Sequence, residues 1–183
     1  MKKYAFLLAC LLPFFSCATV YKIEYALLQP SPSDDLSFKD DLIDIQFAFA
    51  ETYVGFALQN KTDSGIKIHW NDLSIVFPSG KTSRIFHNGV KFINRKKPQA
   101  ATVVPSNTKV SDILIPVEDV YSYSVRWLEV GGRSFFGGEN KLVWDEKEIS
   151  IYFPLEIKGA KKEYDFKFKI NVSQPPPAPG QIK

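Results

Sequence analysis

The chain has 183 residues, a formal net charge of +3 and 14% aromatic residues, among them 15 Phe and 8 Tyr. This length is enough for one domain with its own hydrophobic core, and the weak charge excludes a nucleic-acid binder that works through bulk positive charge. The many aromatic residues, together with 12 Pro and 10 Gly, favour strands and turns over helices.

Residues 1–16 have the pattern of an export signal. Met1-Lys2-Lys3 is a short basic start, and Tyr4 to Phe15 is a run without charge. Such a run is too short to cross a bilayer core of about 30 Å, which needs about 20 helical residues. A basic start, a short apolar run and then small residues are typical of a signal that is removed on export. We therefore expect residues 1–16 to be a signal peptide.

The stretch Ser16-Cys17-Ala18 resembles the lipobox of bacterial lipoproteins. The resemblance implies that the Cys17 thiol receives a diacylglycerol, that the chain is cut before Cys17, and that the new N-terminus is acylated. Phe14 departs from the pattern, which usually has Leu three residues before the cysteine. The stretch Leu7-Leu8-Ala9-Cys10 matches better letter by letter, but it leaves an apolar run shorter than the roughly 7–15 residues of a typical signal. We favour Cys17 as the lipidation site, with Cys10 as the alternative.

Cys10 and Cys17 are the only cysteines, so the exported body contains none. It is therefore expected to fold without disulfides and to have no cysteine nucleophile or cysteine metal site. Several acyl chains at Cys17 would anchor the protein durably to a membrane. The residue after Cys17 is Ala18 and not Asp, which by resemblance to the sorting rule of bacteria with two membranes favours the outer membrane. In other hosts the resemblance implies the outer face of the cell membrane.

Residues 17–40 are interpreted as the lipidated N-terminus and a tether. The segment contains QPSPSDDLSFKDD, which is rich in Pro, Ser and Asp and lacks sustained periodicity. Apolar residues alternate from Tyr21 to Leu27, so a short edge strand over 21–28 is an alternative. A tether would let the domain reach up to roughly 80 Å from the membrane, whereas a strand would hold it close to the surface.

Residues 41–172 are predicted to form one β-sandwich domain. Short apolar stretches with a period of two follow one another, separated by turn compositions such as those of 60–65 and 78–81. The predicted strands include LIDIQFAFA, YVGFALQN, IKIHW, LSIVF, TSRIFH, EISIYFPLEI and YDFKFKINV. The last two are expected to pair as a hairpin through KGAKKE. In YDFKFKINV, apolar and polar residues alternate, as in an antiparallel sheet with one solvated face.

Eight to ten short strands with frequent turns and no amphipathic helix predict an all-β, antiparallel sandwich of immunoglobulin-like topology behind the signal peptide. Residues 173–183, SQPPPAPGQIK, are expected to be a flexible Pro-rich tail. The segments FALQNKTDSGIKIHW and HNGVKFINRKKPQAATVVPSNTKVSDILIP, together with the lipobox, resemble an uncharacterised family of small bacterial lipoproteins. That family has no assigned activity, so the resemblance implies an anchor and a fold alone.

The sequence offers no pattern for an enzyme, a cofactor or a metal. His69 and His87 have no His or Cys at metal-ligand spacing, and an arrangement of Ser83 with His87 lacks the nucleophile-elbow motif. GGRSFFGG lacks both phosphate-loop motifs, and paired acids such as Asp34-Asp35 lack the alternating pattern of a calcium loop. An envelope hydrolase would need a cleft that holds His87 or paired carboxylates within hydrogen-bond reach. We therefore expect a protein that is not an enzyme.

The loop over residues 88–101 is the main candidate for a contact surface. Its candidate partner-contact residues are Lys91, Phe92, Arg95, Lys96 and Lys97. Four cations beside an aromatic ring suit an anionic lipid headgroup, a glycan or an envelope protein. These features predict a lipid-anchored module that binds or scaffolds another envelope component. The alternative is an envelope receptor for a small ligand or glycan, which would need a concave pocket lined by aromatic residues.

Overall fold

The computed structural model describes residues 21–123, 129–132, 135 and 140–174. The expected signal peptide over 1–16, the expected lipidation site Cys17 and its alternative Cys10 lie outside the described residues. Most of the expected Pro-rich tail lies outside them as well.

Short strands make up most of the described chain, and four 3₁₀ turns connect some of them. The strands are β1 (Lys22–Gln29), β2 (Ser37–Lys39), β3 (Ile43–Phe49), β4 (Val54–Asn60), β5 (Ile66–Ile68), β6 (Ser74–Val76), β7 (Thr82–Phe86), β8 (Thr102–Val104), β9 (Lys109–Pro116), β10 (Val120–Tyr123), β11 (Glu129–Gly132), β12 (Glu148–Tyr152), β13 (Leu155–Ile157), β14 (Ala160–Lys162) and β15 (Asp165–Ser173). The 3₁₀ turns are η1 (Trp70–Asp72), η2 (Phe92–Asn94), η3 (Val117–Asp119) and η4 (Lys141–Trp144).

Nine strands form one antiparallel sheet in the order β1-β15-β12-β6-β7-β9-β4-β3-β2. Pairing of β7 with β9, with Ile85 opposite Pro116, joins its two halves. A sheet of order β14-β13-β5-β8 and the β10–β11 hairpin are separate from it. The arrangement is a sandwich close to a barrel, and the described residues form no α-helix. The all-β antiparallel sandwich predicted from the sequence is confirmed.

Aromatic side chains fill the space between the two halves of the nine-stranded sheet, which face each other as the two layers of the sandwich. Phe47 of β3 meets Phe166 and Phe168 of β15 edge to face, with ring centroids 4.8 and 5.2 Å apart. Phe56 of β4 meets Phe153 in the same way at 5.1 Å. Each such pair contributes about 0.5–1.5 kcal/mol beyond the burial of its apolar area. The alternation of β3 and β15 therefore decides which faces of the two layers meet.

Residues 22–29 belong to the folded domain and not to a tether. Strand β1 pairs with β15 along its length, beginning with Lys22 opposite Ser173. Leu27 is 1% exposed, and the ring of Tyr25 stacks on Phe49 with centroids 3.9 Å apart. The strand alternative is thus the correct one, and the described domain begins about 20 residues before the expected boundary at 41. Residues 30–36 of the Pro- and Asp-rich segment connect β1 to β2, and their turn composition resembles that of a linker.

The last predicted hairpin is split between two sheets. Strand β12 pairs with β15 as expected, with Glu148 opposite Lys169. Pro154 follows β12 and has no N–H to donate to a ladder, and β13 pairs instead with β14 and β5. Lys158 and Gly159, with φ of 51° and 78°, form the β13–β14 turn in the manner of a two-residue type I′ loop. The predicted strand EISIYFPLEI is therefore two strands.

Candidate functional site

The basic loop, residues 88–101, connects β7 to β8 as the sequence predicts. The guanidinium carbon of Arg95 lies 3.8 Å from the centroid of the Phe92 ring, and Arg95 Nη1 donates to the Phe92 carbonyl at 3.0 Å. A cation–π contact at such a partly exposed position contributes about 0.5–1 kcal/mol. Two of the five predicted contact residues thus hold the loop together, since both are half-buried against each other.

The other three predicted contact residues are exposed. Lys96 pairs with Glu118 at 3.7 Å, whereas Lys91 and Lys97 have no ion pair within the described residues. Ile93 lies between them and is 79% exposed, more than any other large hydrophobic side chain described. We call Lys91, Ile93, Lys96 and Lys97 the basic loop surface. Sequence reasoning missed Ile93, although an apolar residue among cations, outside any strand pattern, was the available signal.

Gln99 fastens the C-terminal end of the basic loop. Its backbone N–H donates to Asn71 Oδ1 at 3.0 Å, and Asn71 Nδ2 donates to the Gln99 carbonyl at 3.2 Å. Its side-chain Nε2 donates to the Ile85 carbonyl at 2.8 Å, and its Oε1 accepts the His87 N–H at 3.3 Å. One residue therefore joins the end of the loop to its beginning and to η1.

His87 and Asp112 fasten the N-terminal end. The His87 ring stacks on the buried Trp70, and its Nδ1 lies 3.1 Å from Asp112 Oδ2. Asp112 Oδ1 accepts the N–H groups of Asn88 at 3.0 Å and Ile113 at 2.8 Å. Burial by itself would raise the pKa of Asp112, but the hydrogen bonds from His87 and the two amides outweigh it and lower that pKa. An ionised Asp112 thus holds the first residues of the loop.

Each of the two histidines pairs with a carboxylate, and Ser83 takes part in neither pair. Ser83 Oγ donates to the Arg84 carbonyl at 2.9 Å, and Ser83 is 1% exposed. His69 Nε2 lies 2.8 Å from Glu156, on the surface. In the part of the chain that the structure describes, no three His, Cys, Asp or Glu side chains come together as a metal site. The structure brings His87 to a carboxylate and leaves Ser83 bonded elsewhere.

The surface of the described residues includes two grooves with polar and aromatic lining. One has a volume of about 200 Å³ and is lined in part by His69, Glu156 and Lys161. The other has a volume of about 400 Å³ and lies beside Phe38 and Tyr164. Typical ligand pockets have about 300–1,000 Å³. Burial, and then the hydrogen bond that its hydroxyl donates to Asp40, raise the pKa of Tyr164, so this groove presents a neutral phenol.

Comparisons with known proteins give no family for the chain. No family model matches it, and no curated protein matches it. A solved structure titled "X-ray structure of Northeast Structural Genomics Consortium target SoR45" is similar over 91% of this chain and 93% of that chain, at 8% identity and a TM-score of 0.28. Among the residues described, no helix is long and apolar enough to cross a membrane.

Proposed function

We propose that the protein is a lipoprotein of the cell envelope, anchored through acyl chains on Cys17, that binds or scaffolds another envelope component without catalysis. The observation that carries the proposal is the exposure of the Ile93 side chain. It is 79% exposed and lies between lysines on a loop that hydrogen bonds hold at both ends. A loop that is already ordered loses less conformational entropy on binding than a flexible one. The basic loop surface is therefore pre-organised for binding.

The charges of this surface define the partner's chemistry. Lys91 and Lys97 have no counter-ion within the described residues, so a partner with carboxylates or other anionic groups would supply it. Ile93, which lies between these lysines in the sequence, requires a small apolar patch on the partner, since interface cores are depleted of charge while their rims are polar. An acidic surface on another envelope protein has both features, and complementary charge would speed its association.

The position of the basic loop in the fold also supports a partner outside the anchoring membrane. Strand β1 starts at Lys22, opposite Ser173, and β6 runs in the same direction as β15, with its end at Val76 level with Lys167. Strand β7 runs antiparallel to β6, so Phe86 and the loop after it leave the sheet at its other end. Strand β7 is also the fifth of nine strands, so three strands separate it from β1 in the sheet. A lipid attached just before β1 would thus leave the loop facing away.

The partner is tested with a photo-crosslinking residue at position 93 of the full chain, expressed in its host. We expect a crosslinked protein adduct whose yield falls as the salt concentration rises. The adduct should be lost when Lys91 and Lys97 are both changed to Glu. The control changes Lys109 and Lys162 to Glu, because these exposed lysines lie elsewhere and the net charge changes equally. Equal loss in both double variants, or no adduct at position 93, would contradict the proposed contact.

The anchor is tested separately by the intact mass of the membrane-extracted protein. We expect a chain that starts at Cys17 and carries the mass of the acyl groups, and no such species after Cys17→Ala. Cys10→Ala is the matched control and should leave the acylated species unchanged. An acylated Cys17→Ala protein, or an unlipidated wild type, would contradict anchoring at Cys17.

A receptor for a small ligand or glycan is the second candidate function. The observation that favours it is the groove of about 400 Å³ beside Phe38 and Tyr164, where two aromatic rings and several carboxylates meet. Calorimetric titration with envelope glycan fragments tests it, with Tyr164→Phe to remove the hydroxyl. If the heat of binding is equal in wild type and Tyr164→Phe, or absent from both, the basic loop surface remains the candidate site.

A further inference from the structure

An exposed apolar pair lies in the 3₁₀ turn η4. Among the large hydrophobic side chains that the structure describes as exposed, Leu142 and Val143, at 43% and 55%, are the two that are adjacent in sequence. The side chain of Asn140 accepts the Leu142 N–H at 3.0 Å and caps the turn. Trp144 packs against the core, so η4 is held on one side and shows Leu142 and Val143 to solvent on the other.

Hydrogen bonds place η4 near the start of β1. Asp145, the residue after η4, accepts the Val172 N–H at 2.7 Å. On the other side of β15, Ile23 is opposite Val172 and Lys22 is opposite Ser173. The chain after η4 and the start of β1 therefore flank the same end of β15. Since neighbouring strands lie about 4.8 Å apart, the two are separated by about 10 Å.

We infer that Leu142 and Val143 contact the lipid bilayer that anchors the chain, an inference that rests on the proposed lipidation of Cys17. The five residue steps from Cys17 to Lys22 span at most about 18 Å. This end of the sandwich must therefore face the membrane closely. An apolar pair on a fixed turn at this end suits the boundary between headgroups and acyl chains.

The charges around η4 are compatible with a phospholipid surface. Glu24 pairs with Lys22 at 2.7 Å, and Glu146 pairs with Lys169 at 2.5 Å. The carboxylate of Asp145 is occupied by the backbone of Val172. Lysines thus offset the charges of Glu24 and Glu146, while Asp145 keeps its negative charge. Ile93 in the basic loop and Val103 in β8, which are also exposed apolar side chains, lie elsewhere in the fold.

The absence of cysteine from the body makes a direct test possible. In the mature lipidated protein the Cys17 sulfur would be blocked, so Leu142→Cys or Val143→Cys provides one thiol for an environment-sensitive fluorophore. The lipidated proteins are placed in vesicles of phosphatidylethanolamine and phosphatidylglycerol. Ile93→Cys and Val103→Cys are the controls, because both residues are exposed apolar ones away from η4. Far-UV circular dichroism verifies that each labelled protein is folded.

We expect labels at 142 and 143 to shift their emission to shorter wavelength and to lose iodide quenching several-fold on reconstitution, while labels at 93 and 103 stay unchanged. If the protein floats with the vesicles but the labels at 142 and 143 remain as quenched as the controls, the inference is wrong and the anchor stands. A protein that carries no lipid and does not float overturns both. The same shift in lipid-free solution would indicate contact between copies of the chain and would also overturn the inference.

Discussion

The imidazole of His87 lies parallel to the indole of Trp70, with ring centroids 4.1 Å apart and 10° between the planes. Trp70 is fully buried, and its Nε1 donates to Thr102 Oγ1 at 2.9 Å. His87 precedes the basic loop and Thr102 follows it, so one core side chain contacts both ends. The shape of the basic loop is therefore coupled to the packing of the core.

Asp112→Asn should weaken this coupling. The variant loses a charge-assisted contact with His87, and we expect the free energy of unfolding in urea at pH 7 to fall by about 1–3 kcal/mol. Asp63→Asn is the control, because Asp63 is 79% exposed in its pair with Lys158 and such pairs contribute about 0–1 kcal/mol. Equal losses in the two variants would contradict the role given to Asp112.

The difference in unfolding free energy between wild type and Asp112→Asn should depend on pH. The folded state lowers the pKa of Asp112, so its carboxylate stabilises the fold above the unfolded pKa of about 3.9. That contribution is lost as the pH falls through the lower, folded value. The difference between wild type and Asp112→Asn should therefore shrink below about pH 4 in unfolding experiments at a series of pH values. A difference that grows toward acid would have the wrong sign.

Asn60→Ala should be among the most destabilising polar substitutions. The Asn60 side chain is fully buried and its Nδ2 donates to the carbonyls of Ser64 at 2.7 Å, Val104 at 3.0 Å and Pro105 at 3.0 Å. Because Ala leaves these carbonyls without that donor, we expect a loss of about 3 kcal/mol. Gln59→Ala is the neighbouring control, and an equally small loss in both variants would show that the site tolerates unpaired carbonyls.

Leu27→Ala tests the place of β1 in the domain. Leu27 is 1% exposed, and truncation of a core leucine costs about 2–5 kcal/mol. Leu142→Ala, at a leucine that is 43% exposed, should change the unfolding free energy by less than about 0.5 kcal/mol. If Leu27→Ala were as mild as Leu142→Ala in urea unfolding, β1 would not be part of the cooperative unit.

Gly159→Ala tests the turn between β13 and β14. Gly159 has φ of 78° and open space where a Cβ would lie, so the cost of alanine is conformational, about 1–2 kcal/mol. Gly65→Ala is the control, because Gly65 lacks a positive φ and a Cβ there meets its nearest atom at 3.5 Å. In thermal unfolding, the melting temperature of Gly159→Ala should be clearly lower than that of Gly65→Ala. The reverse order would contradict the turn conformation given to Gly159.

The sequence predicts those parts of the fold whose information is local. The alternation in β3 and β15 is visible in ten residues or fewer, and both strands form as predicted. The sequence does not decide β1, because the turn-rich segment behind it resembles a linker. The division of EISIYFPLEI into β12 and β13 depends on which sheet each half joins, and this is decided by pairing with the distant β5 and β15.

The candidate site is likewise predictable from the sequence only where the information is local. The cations of the basic loop can be read directly from KFINRKK. The partners that hold the loop cannot, because Asn71 and Gln99 are 28 residues apart and His87 and Asp112 are 25 residues apart. The exposure of Ile93 and the inward turn of Arg95 onto Phe92 follow from the folded loop and not from residue types.

The pairing of β1 with β15 has a mechanical consequence. Tension between the start of β1 and the basic loop would be directed along the strands, because the two leave the sheet at opposite ends, and the ladder bonds of β1 would then be loaded together in shear. Tension between Lys22 and Ser173, which are neighbours in the register, would instead peel the two strands apart one bond at a time. The fold therefore resists force best in the direction in which a membrane-tethered protein holding a partner would be pulled.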